Sequence, residues 1–380
     1  MSAIATAGPV GPGADSPPTS VPFHYTQSES FVALLHRLGA SLLVSTYQAN
    51  KLLVVRADGG GLSTLVRSFE RPMGLAVAPG RLAVGTHHAV WMLRNAPDIA
   101  PRVEPAGRHD ACFLPRSCHV TGDIAVHELA WAGDELWAVN TRFSCLCSFH
   151  PDYSFVPRWR PPFISALAAE DRCHLNGLAL VGGRPRYATA LGETDTAGGW
   201  RAGKPHGGCL IDVPGGEVLA RGLSMPHSPR LYEGRVWLLE SGAGRLLRLD
   251  PAAGRPEVVA EGLPGYARGL ALCGPYAFVG LSKIRATSAL DGVPLAQRRA
   301  ELKCGVAVVD WRRGRVVGGL EFQTAVEEIF DVQLLPGLRF PEVVGLQKDT
   351  VQHTFVVPAA EQRSAGGCSA ATRCRGPEWP

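Results

Sequence analysis

The sequence predicts an all-β fold, a six-bladed β-propeller closed by a C-terminal strand that completes the first blade. Three observations carry this. The stretch 126–152, VHELAWAGDELWAVNTRFSCLCSFHPD, alternates apolar and polar residues around a Gly133-Asp134 turn, the signature of an antiparallel meander. The same pattern recurs in MGLAVAPGRLAVGTHHAVWML from Met73, NGLALVGGRPRYATALGET from Asn176, HSPRLYEGRVWLLESGAGRLLRLDP from His227 and RGLALCGPYAFVGLSK from Arg268. Its spacing of roughly 40 to 60 residues is the period of four-stranded propeller blades. Finally, three early strands lack the inner strand that every later copy has, and 329–337 supplies one near the far end.

Taken in order, residues 1–22 are rich in Gly, Pro, Ser and Ala and are expected to be disordered. Ser28 then caps a short helix with Phe31, Leu34, Leu35 and Leu38 on one face and Gly39 as its stop. Strands are expected at 41–47, 51–56 and 62–69. Blades open at Met73, His127, Asn176, His227 and Arg268, and IFDVQLLPG (329–337) completes blade I, leaving no open sheet edge. Seven blades is the alternative, if 340–346 starts another. The segments 96–121, 195–208 and 284–302 read as long insertions, the last with a short helix at 294–302. Residues 23–357 thus form a single domain, and 358–380 reads as a second disordered tail.

Composition narrows the function. At 46% hydrophobic and 19% charged, the chain can bury a large core, and 44 Gly with 30 Pro suit many short strands joined by tight turns. A net charge of +4, scattered without a basic block, argues against nucleic acid as a partner. No run approaches membrane-spanning length, and the N-terminal stretch has neither the basic nor the apolar region of a secretory signal. Ten cysteines without such a signal point to free thiols in a reducing, cytoplasmic setting.

Chemistry is expected at one mouth of the central channel. In an antiparallel meander the start of each inner strand lies beside the end of the second strand. The inner-strand starts read Met73, His127, Asn176, His227, Arg268 and Phe330. The second-strand ends offer Tyr47, His87, Asn140, Arg142, Glu193, Glu240 and Lys283. A structural role for each, as a turn former bonded to local backbone, stands beside a shared ligand pocket. His127, His174 and His227, with Glu128, Glu193 or Glu240, are candidate ligands for a divalent metal, although no HxH or HxxxH spacing is present. Arg142, Arg268, Lys283 and Arg230 form a cationic set suited to a carboxylate, sulfate or phosphate, with Glu193 and Glu240 as salt-bridge alternatives. Trp159 and Trp200, read as loop residues, are candidates for stacking on a ligand, whereas Trp131, Trp137 and Trp237 read as packing.

SLLVSTYQANKL, HELAWAGDELWAVNTRFSCL, RPPFISALAAEDRCHLNGLAL, ALGETDTAGGWR and MPHSPRLYEGRVWLLESGAG resemble a bacterial family of uncharacterised conserved proteins, a domain of unknown function with a propeller fold. The resemblance spans about 23–346 and implies the fold without an activity. In architecture alone the chain is also similar to six-bladed lactonase and strictosidine-synthase-like propellers, whose metal-ligand set does not carry over residue by residue. The expected function is binding of a small polar or anionic molecule in the mouth. A metal-assisted hydrolase or lactonase and a protein-interaction scaffold, with a protein partner on the rim, are the alternatives.

Overall fold

A computed structural model describes residues 23–252, 254–284, 292–346 and 349–357. The two tails expected to be disordered, 1–22 and 358–380, lie outside the described residues. Six antiparallel sheets surround a central channel as a six-bladed β-propeller. Blade I pairs Asp331–Pro336 with Ala40–Thr46, followed by Lys51–Asp58 and Gly61–Ser68. The C-terminal strand therefore closes the ring as expected, with Val332 opposite Val44.

Blade II runs Leu75–Ala78, Arg81–Gly85, Ala89–Asn95 and Ala111–Val120 from the channel outwards. Blade III comprises Val126–Ala132, Glu135–Asn140, Cys145–His150 and Tyr153–Trp159, and blade IV Leu175–Val181, Arg184–Ala190, Gly208–Asp212 and Val218–Leu223. Blade V is Pro226–Tyr232, Arg235–Glu240, Arg245–Leu249 and Pro256–Ala260, and blade VI Tyr266–Cys273, Tyr276–Ser282, Gly305–Asp310 and Arg315–Phe322. Each inner strand touches the next around the ring, from blade I through blade VI and back.

Two details correct the sequence expectations. Pro341–Val343 does not begin a seventh blade; it adds in parallel to the outer strand of blade II, and Arg67 of blade I holds it through the Glu342 carboxylate and the Val343 carbonyl. The segment 96–121 ends in that outer strand, Ala111–Val120, preceded by a single helical turn at Ala100–Arg102. Tyr25–Gln27 likewise adds to the edge of blade VI. Both additions cover backbone groups that an open edge would leave unpaired.

The helix Glu29–Leu38 forms where its caps dictate. Ser28 Oγ accepts from the Phe31 amide, and Gly39 ends the helix at φ 58°. Its buried face, Phe31, Leu34 and Leu35, packs over the seam of blades I and VI against Leu42, Val55, Phe278 and Val308. It buttresses the closure. The remaining core lies between successive blades, as in the cluster of Leu75, Leu82, Leu93 and Phe113 against Leu43 and Val54.

The recurring glycine has a physical cause. Adjacent inner strands converge at the channel, so a Cβ on Gly74 would lie 2.8 Å from the His127 carbonyl. One on Gly269, at φ 78°, would lie 2.4 Å from the Val332 nitrogen. Polar side chains then tie neighbouring inner strands together. The Leu75 amide donates to Asp331 Oδ2, the Gly269 amide to Ser228 Oγ, and Asn176 Nδ2 to the Pro226 carbonyl.

Candidate functional site

Where the inner strands begin, a cavity of about 460 Å³ opens at the channel mouth. Its walls include His127 and Met73, Phe330, Arg268 and Tyr266, His227 and Met225, His174 and Trp200. Register shifts place several of these side chains: the inner strands of blades IV, V and VI bulge between Leu175 and Gly177, His227 and Arg230, and Ala267 and Leu270. A bulge bends its strand and re-aims the residues beside it.

Two of the histidines are held by the same device. His127 Nδ1 lies 3.0 Å from the Ala125 carbonyl and 2.8 Å from Thr141 Oγ1. His227 Nδ1 lies 3.0 Å from both the Met225 carbonyl and Ser241 Oγ. Ala125 and Met225 adopt positive φ, 51° and 49°, a bend that sets their carbonyls against the imidazoles. A carbonyl only accepts, so each Nδ1 carries the proton and each Nε2 keeps a lone pair. Burial, then the Arg268 charge, holds both imidazoles well below the usual histidine range, so both are neutral.

His174 is held differently. Its Nδ1 lies 2.9 and 3.0 Å from the two Asp171 carboxylate oxygens, and Asp171 also accepts from Trp200 Nε1 at 3.0 Å. The ring lies against Trp200 in a tilted arrangement, 4.4 Å between centroids, and meets His127 edge-on at 4.8 Å. His174 itself sits at φ 50°, a conformation unusual for a residue with a Cβ. Of the three imidazoles, this is the one backed by a carboxylate, which fixes the orientation of its ring.

Arg268 supplies the positive charge. Its guanidinium stacks 3.7 Å from the Phe330 ring centre, and among the described residues it makes no ion pair or hydrogen bond. Burial pushes its pKa down. Tyr47 and Phe330, 6.0 Å apart, line one side of the cavity, and Tyr266 stands 5.8 Å from His227 on the other.

Several expected mouth residues are placed elsewhere. Arg142 turns outward to Asp123, bonding its carbonyl and its carboxylate. Glu193 is exposed and pairs with Arg221 through two hydrogen bonds, 2.7 and 3.0 Å. Glu240 is buried beneath the surface, accepting from the Ser224 amide and facing Arg245. Asn140 closes a turn by accepting from the Phe143 amide. Asn176 spends its amide on Pro226 and Thr189. His87 sits at the rim with Glu70 and Asp123, and Lys283 does not line the cavity. Trp159 ends the outer strand of blade III, so it is no loop residue, and packs against the core of that blade pair.

Arg230 lies deeper, between the two ends of the channel. Its guanidinium is 2.8 Å from Glu128 and 3.7 Å from Asp331, and its Nε donates to the Leu270 carbonyl. It borders a second cavity of about 610 Å³ at the opposite face, lined mainly by apolar residues such as Leu231, Leu272 and Leu335. One guanidinium neutralises one carboxylate. Burial raises both carboxyls; for Asp331 the Arg230 charge and hydrogen bonds from Gln333 and the Leu75 and Val332 amides oppose the rise, whereas Glu128 is driven up to about 8. Glu128 therefore keeps the extra proton.

For a metal, the donors must converge. Among the described residues, the group of three whose ligating atoms lie within 4.8 Å of one another is Glu70, His87 and His88 on the rim. His127, His174 and His227 share a cavity without forming such a group. Sequence reasoning missed Tyr266, which begins its strand two residues before Arg268, and Asp171, whose signal is its place three residues before His174.

Comparison with known proteins bears on the fold and the family. A search of curated proteins found no match. A crystal structure of a protein of unknown function from Bacteroides caccae is 11% identical, with a TM-score of 0.50 over 78% of this chain and 98% of its own. A chain of a nidogen/laminin complex is also 11% identical, with a TM-score of 0.48 over 78% of this chain and 99% of its own. The PQQ-bound aldose sugar dehydrogenase of Streptomyces coelicolor is 17% identical, with a TM-score of 0.42 over 74% of this chain and 91% of its own. The family model described as "Domain of unknown function (DUF4915)" matches residues 29–344, most of the chain, and the protein belongs to that family.

Proposed function

We propose that the propeller binds a small organic anion in the cavity at its channel mouth, with Arg268 as the anchor. The observation that carries this is a largely desolvated guanidinium that makes no ion pair or hydrogen bond among the described residues, with the Glu328 carboxylate of the same cavity and Asp331 acting on it only through their charge. Burying a cation costs several kcal/mol, and stacking on Phe330 returns about 2 kcal/mol. An anion entering the cavity offsets the remainder. The histidine rings, Trp200 and the two tyrosines frame a pocket of the size small ligands occupy. The unpaired cysteines, Cys112, Cys145, Cys173 and Cys209 among them, fit a reducing cytoplasmic setting.

A second reading, turnover of the bound anion, is favoured by one observation: the Asp171 carboxylate orients His174 at the cavity wall, as a general base requires.

Thermal melts of the wild type and Arg268→Met, with and without a panel of small carboxylates and phosphates, test the anchor. The empty variant should melt at or above the wild type, because a buried unpaired charge is gone. At a hundred times its Kd, a ligand should stabilise the wild type by about 2.7 kcal/mol and leave the variant unmoved. A large loss of stability in the variant, with no ligand response in either protein, would overturn the proposal.

A further inference from the structure

Resting on the anion-binding reading, we propose that the site selects a hydroxylated carboxylate, whose hydroxyl hydrogens are accepted by Nε2 of His127 and His227. These two imidazoles are repeats of one device on blades III and V. In each, Nδ1 is committed to a backbone carbonyl and to a hydroxyl from the second strand, Thr141 or Ser241. Thr141 in turn donates to the Leu175 carbonyl, which leaves its oxygen free to accept from His127. The tautomer is fixed from behind, and no protein group among the described residues occupies either Nε2.

A cavity that presents these two fixed acceptors beside the Arg268 guanidinium, with Arg201, His174 and Glu328 also in its wall, sorts its ligands by charge and by hydrogen. A bare carboxylate or phosphate oxygen facing either Nε2 sets lone pair against lone pair. A ligand ammonium would satisfy them but meets the Arg268 charge, which together with burial already depresses both imidazoles, with Glu328 the carboxylate of the wall to offset it. Neutral hydroxyls remain: they donate to the imidazoles while a carboxylate on the same molecule reaches Arg268. Carbon faces of such a molecule pack on Phe330, Tyr266 and Trp200, which line the same cavity. A divalent ion is the other species that accepts imidazole lone pairs, but the three ring nitrogens do not gather within 4.8 Å.

Calorimetric titration of the full chain at pH 7.5 with gluconate, hexanoate and glucose separates the requirements, because the first two share a six-carbon chain and a carboxylate. Two hydrogen bonds that would otherwise leave buried acceptors unpaired predict gluconate binding roughly tenfold or more tighter than hexanoate, with glucose weakest. His127→Phe with His227→Phe keeps ring volume and removes both acceptors. It should cut the preference to about twofold or less while hexanoate binding persists. Equal affinity for gluconate and hexanoate would overturn the hydroxyl requirement and leave the anion site standing. So would an undiminished preference in the double variant, or a stoichiometric divalent ion in the purified protein whose removal abolishes the preference. Failure of both acids to bind would instead defeat the anion reading itself. The wild-type comparison of the two acids stands even if the double variant does not fold.

Discussion

Replacing Glu128 by glutamine removes one titration from the middle of the channel and leaves the shape of the side chain. In the folded chain the carboxyl, 4% exposed and 2.8 Å from Arg230, is raised from 4.5 to about 8. A carboxyl raised on folding binds its proton more tightly in the native state, so stability falls as pH rises through the interval from 4.5 to 8. Integrated between pH 5 and pH 8, a shift of that size is worth about 3.5 kcal/mol as an upper figure. His127 and His227 act in the opposite direction. Their folded pKa values are depressed, so they lend stability above 6.5 that is lost as pH falls below it. Because they titrate in both proteins, the difference between wild type and Glu128→Gln isolates the carboxyl. Urea unfolding at half-unit steps from pH 5 to pH 8 should show the variant gaining on the wild type by about 2 to 3.5 kcal/mol toward pH 8. A constant difference across that range, or one that shrinks toward pH 8, would refute the assignment of the proton to Glu128.

Other perturbations have definite outcomes. Arg230→Met strands Glu128 beside Asp331 and should cost about 3 kcal/mol or more at pH 8 and less at pH 5, read by the same unfolding curves. Glu342→Ala leaves Arg67 buried without its carboxylate, with a loss of about 3 to 5 kcal/mol expected in urea. A chain ending before Glu327 lacks the inner strand of blade I and should give no cooperative melt, whereas one ending at Val357 should melt like the full chain. Substituting both His127 and His227 by glutamine should flatten the loss of stability between pH 6.5 and pH 5, since no depressed imidazole remains to be protonated there.

The blades were legible because each repeats a strand, a glycine turn and a second strand, and the closure because blade I lacked an inner strand that 329–337 could supply. What escaped were additions with no period of their own. Tyr25–Gln27 and Pro341–Val343 are three residues each, too short for any alternation to announce them. The strand Ala111–Val120 was hidden because its second half, Pro115 to Val120, lies exposed and breaks the apolar pattern.

For the site, topology placed the inner-strand starts together, and His127, His227, Arg268, Met73 and Phe330 do share a cavity. The second-strand ends fared differently. Position along a strand fixes height, while the partner of a charged group decides where it points. Arg142 follows Asp123, Glu193 follows Arg221, and neither partner was visible from spacing. Asn176 occupies the same ring as the histidines, yet the Pro226 carbonyl of the next blade claims its amide.

A crystal of the wild type grown with gluconate tests the anchored-anion site most directly. Density should fill the cavity between Arg268 and the imidazoles of His127 and His227, with the carboxylate on the guanidinium and hydroxyls on both Nε2 atoms. An empty mouth with the acid bound at the opposite cavity beside Leu231 and Leu272 would contradict it.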